Sequence, residues 1–173
     1  MKRRKMTKTL GAGVLASMLP APGQAAAKTF RFRYILSSAM YGEMPLAGIL
    51  PEVSRAGCEA IDIWCRPHGN QREQIEFMGE TAARKLFEEN SVKPAVFTRY
   101  PLGPFGLREE MKRVKESFGA EIVVCGSTGP RGPSGKEARS AVRGFLEKMK
   151  PHVAVAEETG IRIAVENHSG QLL

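Results

Sequence analysis

Short apolar runs alternate with longer amphipathic segments from residue 30 to residue 165, and this alternation limits the possible folds most strongly. The apolar runs have the length of strands, whereas the segments between them repeat apolar residues at helical spacing. Strands that alternate with helices in this way form a parallel sheet with right-handed crossovers. The pattern predicts strands over residues 30–37, 60–65, 92–98, 121–126 and 161–165, and helices over residues 45–56, 71–90, 106–118 and 134–159.

Two parallel-sheet architectures fit this pattern equally well, namely an open doubly wound sheet and a (β/α)₈ barrel. A Gly-x-Gly-x-x-Gly turn does not follow the first predicted strand, and the chain contains no Walker loop, which counts against a nucleotide-binding fold. Pro151 lies inside the last predicted helix and is expected to kink or split it. The inward side of that helix is predicted to carry Ala141, Phe145, Leu146, Met149, Val153 and Ala156. The inward side of the helix over residues 71–90 is predicted to carry Ile75, Met78, Ala82 and Leu86.

The positive charge of the chain is concentrated at its beginning. The 173 residues include 26 Lys and Arg against 18 Asp and Glu, and five of the basic residues lie among the first eight positions. The remainder carries a charge of only +3. A nucleic-acid-binding domain needs a stronger and more clustered basic surface, so we expect no nucleic-acid partner.

Residues 1–27 are typical of a bacterial export signal. A basic segment leads into an apolar stretch over residues 10–19, Pro20 interrupts it, and residues 25–27 are three alanines suited to cleavage. The Arg3–Arg4 pair resembles the twin-arginine type of signal. The apolar stretch is too short to span a membrane. We therefore expect a periplasmic or extracellular protein whose folded domain covers residues 28–173.

Glu166 is the strongest candidate for a catalytic or metal-binding residue. It ends the last predicted strand, and alternation places it on one face of that strand with Ala164 and Arg162. Parallel α/β enzymes keep their chemistry at the carboxyl ends of the strands. A carboxylate at that position suits a hard divalent cation, although it would equally suit an ion pair with an arginine.

Three further residues are candidates for binding substrate. Trp64 ends the second predicted strand on the same face as Asp62, and it either walls a sugar pocket or belongs to the core. His68 lies on the loop after that strand, where it contacts substrate or remains a surface residue. His168 shares the parity of Glu166 and either reaches the same mouth or lies in a loop.

Two stretches, residues 57–64 and 163–168, resemble the xylose isomerase-like TIM-barrel superfamily. Residues 67–69, 100–106 and 147–152 are similar to an exported branch of sugar phosphate isomerases/epimerases. The resemblance covers the chain after residue 28 and implies a (β/α)₈ barrel with its site at the C-terminal face, of which about five strands and four helices are present. It also implies a divalent metal ion, with Glu166 matching the fifth-strand ligand.

The resemblance implies a metal-dependent sugar isomerase or epimerase that moves a proton next to a carbonyl group. Glu166 would bind Mn, Mg, Co or Zn and act as one acid/base group on a sugar or polyol. The three ligands from later strands have no counterpart here, so we expect an inactive part of the barrel that forms homo-oligomers through exposed sheet edges. The alternatives are a non-catalytic half-barrel remnant or binding module, and an apurinic endonuclease-like phosphodiesterase.

Overall fold

The computed structural model describes residues 31–166, and their centre is a parallel sheet of five strands. Hydrogen bonding joins the strands in the order β1-β2-β3-β4-β5, so that each pairs with its neighbour in the sequence. This is the order that successive βαβ units produce, and it confirms the predicted parallel sheet. The strands are β1 Ile35–Ser37, β2 Ala60–Trp64, β3 Lys93–Thr98, β4 Ile122–Gly126 and β5 Arg162–Glu166.

Helices connect these strands and cover one face of the sheet. On β2, Ile61 and Ile63 are fully buried in the large core between sheet and helices. Ala60 points to the opposite face, where it forms a smaller apolar cluster with Ala95 and Val96. The helices are α1 Leu46–Arg55, α2 Gln71–Met78, α3 Glu80–Glu89, α4 Arg108–Phe118 and α5 Gly135–Thr159, with short 3₁₀ turns at Ser38–Tyr41 and Tyr100–Leu102.

The prediction of one helix over residues 71–90 is wrong, because Gly79 divides it into α2 and α3. Gly79 has a φ of 85°, which glycine adopts at little cost and other residues avoid. The break shifts the buried stripe of the second helix by one position. Ala82 was expected to face the core but is exposed, whereas Ala83 and Phe87 are buried.

Pro151 does not split α5, which continues without a break for 25 residues. The buried face of this helix also differs from the expected one: Leu146 and Val153 are exposed, whereas His152 is buried beside Phe145 and Met149. A proline removes one intrahelical hydrogen bond, yet the helix continues on both sides of Pro151. None of the helices within residues 31–166 has the length and apolarity needed to cross a membrane.

Ion pairs centred on one carboxylate link the N-terminal ends of several strands. The Glu121 carboxylate, just before β4, accepts hydrogen bonds from Arg33 at 2.7 Å and from Lys93 at 2.5 Å, and Arg162 lies 3.7 Å away. These hydrogen bonds lower the pKa of Glu121 to about 2. The cluster therefore ties together the starts of four strands, β1, β3, β4 and β5, at the end of the sheet opposite to the carboxyl ends.

Candidate functional site

A cavity of about 520 Å³ opens at the carboxyl ends of β2, β3 and β4. Three connections build it, namely the loop after β2, the 3₁₀ turn after β3 and the start of the loop after β4. Parallel α/β proteins bind ligands at this end of the sheet. Its lining combines rings, hydroxyl groups and backbone, from His68, Tyr100, Pro101, Leu102, Gly103, Pro104, Phe105, Gly126, Ser127 and Thr128.

Three aromatic rings meet at this cavity. The indole of Trp64 makes edge contacts with His68 and Tyr100, with ring centroids 5.5 Å and 5.3 Å apart and interplanar angles of 90° and 84°. The rings of His68 and Tyr100 are 6.4 Å apart. His68 and Tyr100 line the cavity, and the partly buried Trp64 supports both of them. Such rings offer faces on which the C–H groups of a sugar can pack.

Asp62 lies two residues before Trp64, on the same face of β2. Its carboxylate accepts a hydrogen bond from Trp64 Nε1 at 2.7 Å and from Thr98 Oγ1 at 2.9 and 3.0 Å. Burial raises the pKa of Asp62 from 3.8 to about 6, against the opposing effect of these hydrogen bonds. The negative charge of Glu166 is a smaller contribution to the same rise in the pKa.

Replacing Asp62 by asparagine is expected to stabilise the protein at pH 8. A raised pKa means that the folded state holds the Asp62 proton more tightly, so wild-type stability falls as pH rises from about 4 to about 6. The amide oxygen of asparagine can accept the same hydrogen bonds without a charge. We expect a gain of about 1–3 kcal/mol at pH 8 that disappears near pH 4, measured by urea unfolding at both pH values.

Glu52→Gln is the matched control, because that carboxylate lies outside the site in an ion pair with Arg55 on α1. It should change stability by less than about 1 kcal/mol at either pH. If Asp62→Asn were less stable than the wild type at pH 8, the charged carboxylate would stabilise the folded state. The pKa of Asp62 would then not be raised.

Glu166 is exposed at the end of β5, where it pairs with Gly126 of β4. The backbone N–H of Ser127 donates to the Glu166 carbonyl oxygen at 3.3 Å, so the strand end adjoins the loop that lines the cavity. Ile163 and Val165 pack against the core on the helix side. The predicted alternation of β5 is thereby confirmed. His168, together with residues 1–27, lies outside the described residues.

The metal expected from the sequence has few ligands in the described residues. Within residues 31–166, no group of three or more His, Cys, Asp or Glu side chains could hold a metal ion. Glu166 offers one carboxylate, and the Asp62 carboxylate is already engaged by Trp64 and Thr98. A divalent ion needs several oxygen or nitrogen ligands. The described residues therefore do not form a metal site by themselves.

A buried ion pair beneath the site was not predicted. Arg72 of α2 donates from Nε and Nη2 to the two carboxylate oxygens of Glu110 on α4, at 2.8 and 3.1 Å. Arg99, which precedes the cavity residue Tyr100, places its Nε 3.4 Å from Glu110. Arg72 and Glu110 are only 1% and 7% exposed. The pair thus joins two helices and the end of β3.

Comparison with known proteins agrees with this geometry. No family model and no curated protein matches the chain. Among solved structures, an IolI protein with a bound zinc atom matches with a TM-score of 0.61 and 16% identity, over 79% of this chain and 51% of that one. A probable 3-DHS dehydratase, AsbF of Bacillus anthracis, matches with a TM-score of 0.61 and 11% identity, over 81% and 54%.

A third match is a xylose isomerase domain protein from Alicyclobacillus acidocaldarius, with a TM-score of 0.56 and 15% identity, over 77% of this chain and 49% of that one. The chain therefore spans about half the length of these three structures. The predicted resemblance and fold class are both confirmed at the level of the fold. Residues 31–166 share the fold of about half of each of these structures, in agreement with the expected partial (β/α)₈ barrel.

Proposed function

We propose that this chain belongs to a sugar isomerase or epimerase and forms the part of the site that holds an uncharged sugar or polyol. The observation that carries the proposal is the cavity at the carboxyl ends of the strands, with His68 and Tyr100 in its lining and Glu166 beside its loop. Rings and hydroxyl groups are what a polyol site uses. The similar fold of a xylose isomerase domain protein adds support.

The proposed chemistry is proton transfer next to a carbonyl group. The Glu166 carboxylate would remove a proton from the carbon beside the sugar carbonyl, and the electron pair of that C–H bond would form the double bond of an enediolate. Return of the proton to the former carbonyl carbon, together with transfer of the hydroxyl proton from one enediolate oxygen to the other, would give the isomer, and return to the opposite face of the carbon that lost it would give the epimer. A positioned carboxylate typically contributes about 10²–10⁴-fold to such a step.

A divalent metal ion is part of this proposal, and a zinc atom is bound in the IolI structure. Glu166 would supply one ligand, and the others would come from outside residues 31–166.

The proposal also includes a homo-oligomer. Within the described sheet, β1 and β5 are edge strands that each pair with one neighbour only. Such edges offer unpaired backbone groups to a second copy. Sedimentation should then show species heavier than the 18.9 kDa chain.

A binding module without catalysis is the second candidate. The observation in its favour is that the described residues supply a ring-lined cavity but no complete metal site. Binding to such a module would require His68 and Tyr100 and would be independent of Glu166.

Solvent exchange separates the two functions. The whole chain is incubated in D₂O with Mn²⁺ or Zn²⁺ and a panel of aldoses, ketoses and cyclic polyol ketones, and deuterium uptake is followed by NMR. An isomerase should place deuterium beside the carbonyl of at least one compound. Saturation-transfer NMR on the same samples reports binding. Binding without exchange would favour the module, and absence of both would overturn the proposal of a sugar site.

A further inference from the structure

The indole N–H of Trp64 has an acceptor supplied by its own strand. Asp62 and Trp64 are two residues apart and share a face of β2, and Trp64 Nε1 donates to Asp62 Oδ2 at 2.7 Å. The hydroxyl of the buried Thr98 donates to the same carboxylate from the neighbouring strand β3. The carboxylate is therefore held between two strands.

Trp64 is fixed at a second point. Its backbone N–H donates to Ser38 Oγ at 2.9 Å, just after β1. An indole N–H can only donate, and it needs a partner when it is removed from water. Rotation of the ring would break the hydrogen bond from Nε1 to Asp62.

The orientation of this ring decides the position of two others. Trp64 presents an edge-to-face contact to both His68 and Tyr100, whereas those two rings are farther from one another. His68 and Tyr100 come from different loops, and both line the cavity. Trp64 thus contacts both rings of this cavity wall, although His68 follows β2 and Tyr100 follows β3.

We propose that Asp62 is a positioning residue that fixes the Trp64 indole and, through it, the His68 and Tyr100 rings that receive the ligand. The use of this wall for a sugar rests on the proposed function, but the control of the indole by Asp62 does not. Thr98 orients the carboxylate from the other side and leaves the bond to Trp64 intact if its hydroxyl is removed.

The chain has a single tryptophan, so one indole N–H resonance reports this contact directly. Its exchange with solvent is measured by NMR in the wild type, Asp62→Asn, Asp62→Leu and, as matched control, Thr98→Val. We expect slow exchange in the wild type, Asp62→Asn and Thr98→Val, since each keeps an oxygen acceptor for the indole. Asp62→Leu should exchange at least about tenfold faster.

Wild-type exchange as fast as that of free indole would overturn the proposal, even if Asp62→Leu did not fold. Equal exchange in Asp62→Leu and the wild type would also overturn it. A sugar found by saturation-transfer NMR should bind about tenfold more weakly to Asp62→Leu than to Asp62→Asn. If no sugar binds to any variant while the exchange rates differ as expected, the proposed function fails and the positioning role stands.

Discussion

Replacing Arg72 by methionine is expected to lower the free energy of unfolding by about 3–5 kcal/mol, the largest loss for any polar side chain discussed above. Arg72 donates two hydrogen bonds to Glu110, and both side chains are buried. Methionine fills part of the space but leaves the Glu110 carboxylate buried, with only Arg99 near it. Urea unfolding at pH 7, followed by circular dichroism, measures the change.

Two further variants separate the buried charge from the lost packing. The double variant Arg72→Met/Glu110→Met should recover much of the stability, because it removes both buried charges of the pair and leaves only the partly exposed Arg99 without its contact to Glu110. Arg113→Met, which breaks a more exposed pair with Glu80, should cost less than about 1 kcal/mol. A loss below 1 kcal/mol for Arg72→Met would mean that water reaches Glu110 and that the pair is not buried in solution.

Glu166→Gln is expected to reduce solvent exchange into the sugar by about 10²–10⁴-fold, because glutamine keeps the shape and cannot accept the proton. The side chain is exposed at a strand end, so the change should alter the free energy of unfolding by less than about 0.5 kcal/mol. Initial rates of deuterium uptake by the wild type and the variant provide the measurement. Circular dichroism of both proteins verifies the fold.

Glu157→Gln, an exposed carboxylate on α5, is the matched control and should exchange at the wild-type rate. An equal rate in Glu166→Gln and the wild type would show that another group removes the proton. If saturation-transfer NMR then showed that the sugar binds to both proteins, the cavity would remain the proposed binding site, but Glu166 would be excluded as the base.

The strands could be predicted because each contains a short apolar run, and a parallel strand that packs against helices needs such a sequence. The helix pair α2 and α3 could not, because one glycine inside a polar helical pattern does not reveal that its φ is positive. Once Gly79 turned the chain, the phase of the following helix changed and Ala83 replaced Ala82 in the core. The buried face of α5 could not be predicted either, because the spacing of apolar residues does not reveal that His152 is buried.

The candidate site was predictable where it depends on alternation along a strand. Asp62 and Trp64 were expected to share a face, and their hydrogen bond confirms it. The contribution of Thr98 depends on register between β2 and β3, which includes an irregularity after Ile61. The Arg72–Glu110 ion pair could not be predicted from the sequence, because charged residues in amphipathic helices are usually exposed to solvent. Only the three-dimensional structure shows that these two side chains meet and are buried.

The strand order β1 to β5 also bears on how the chain acquires its structure. Because every strand pairs with its immediate predecessor, each new βα unit can dock on an edge that already exists, without waiting for a distant segment. Each pairing then closes a loop that contains one or two α-helices, which costs less entropy than a pairing between the first and last strands would. A unit added beyond β1 or β5 would therefore leave the pairings of β2, β3 and β4 unchanged.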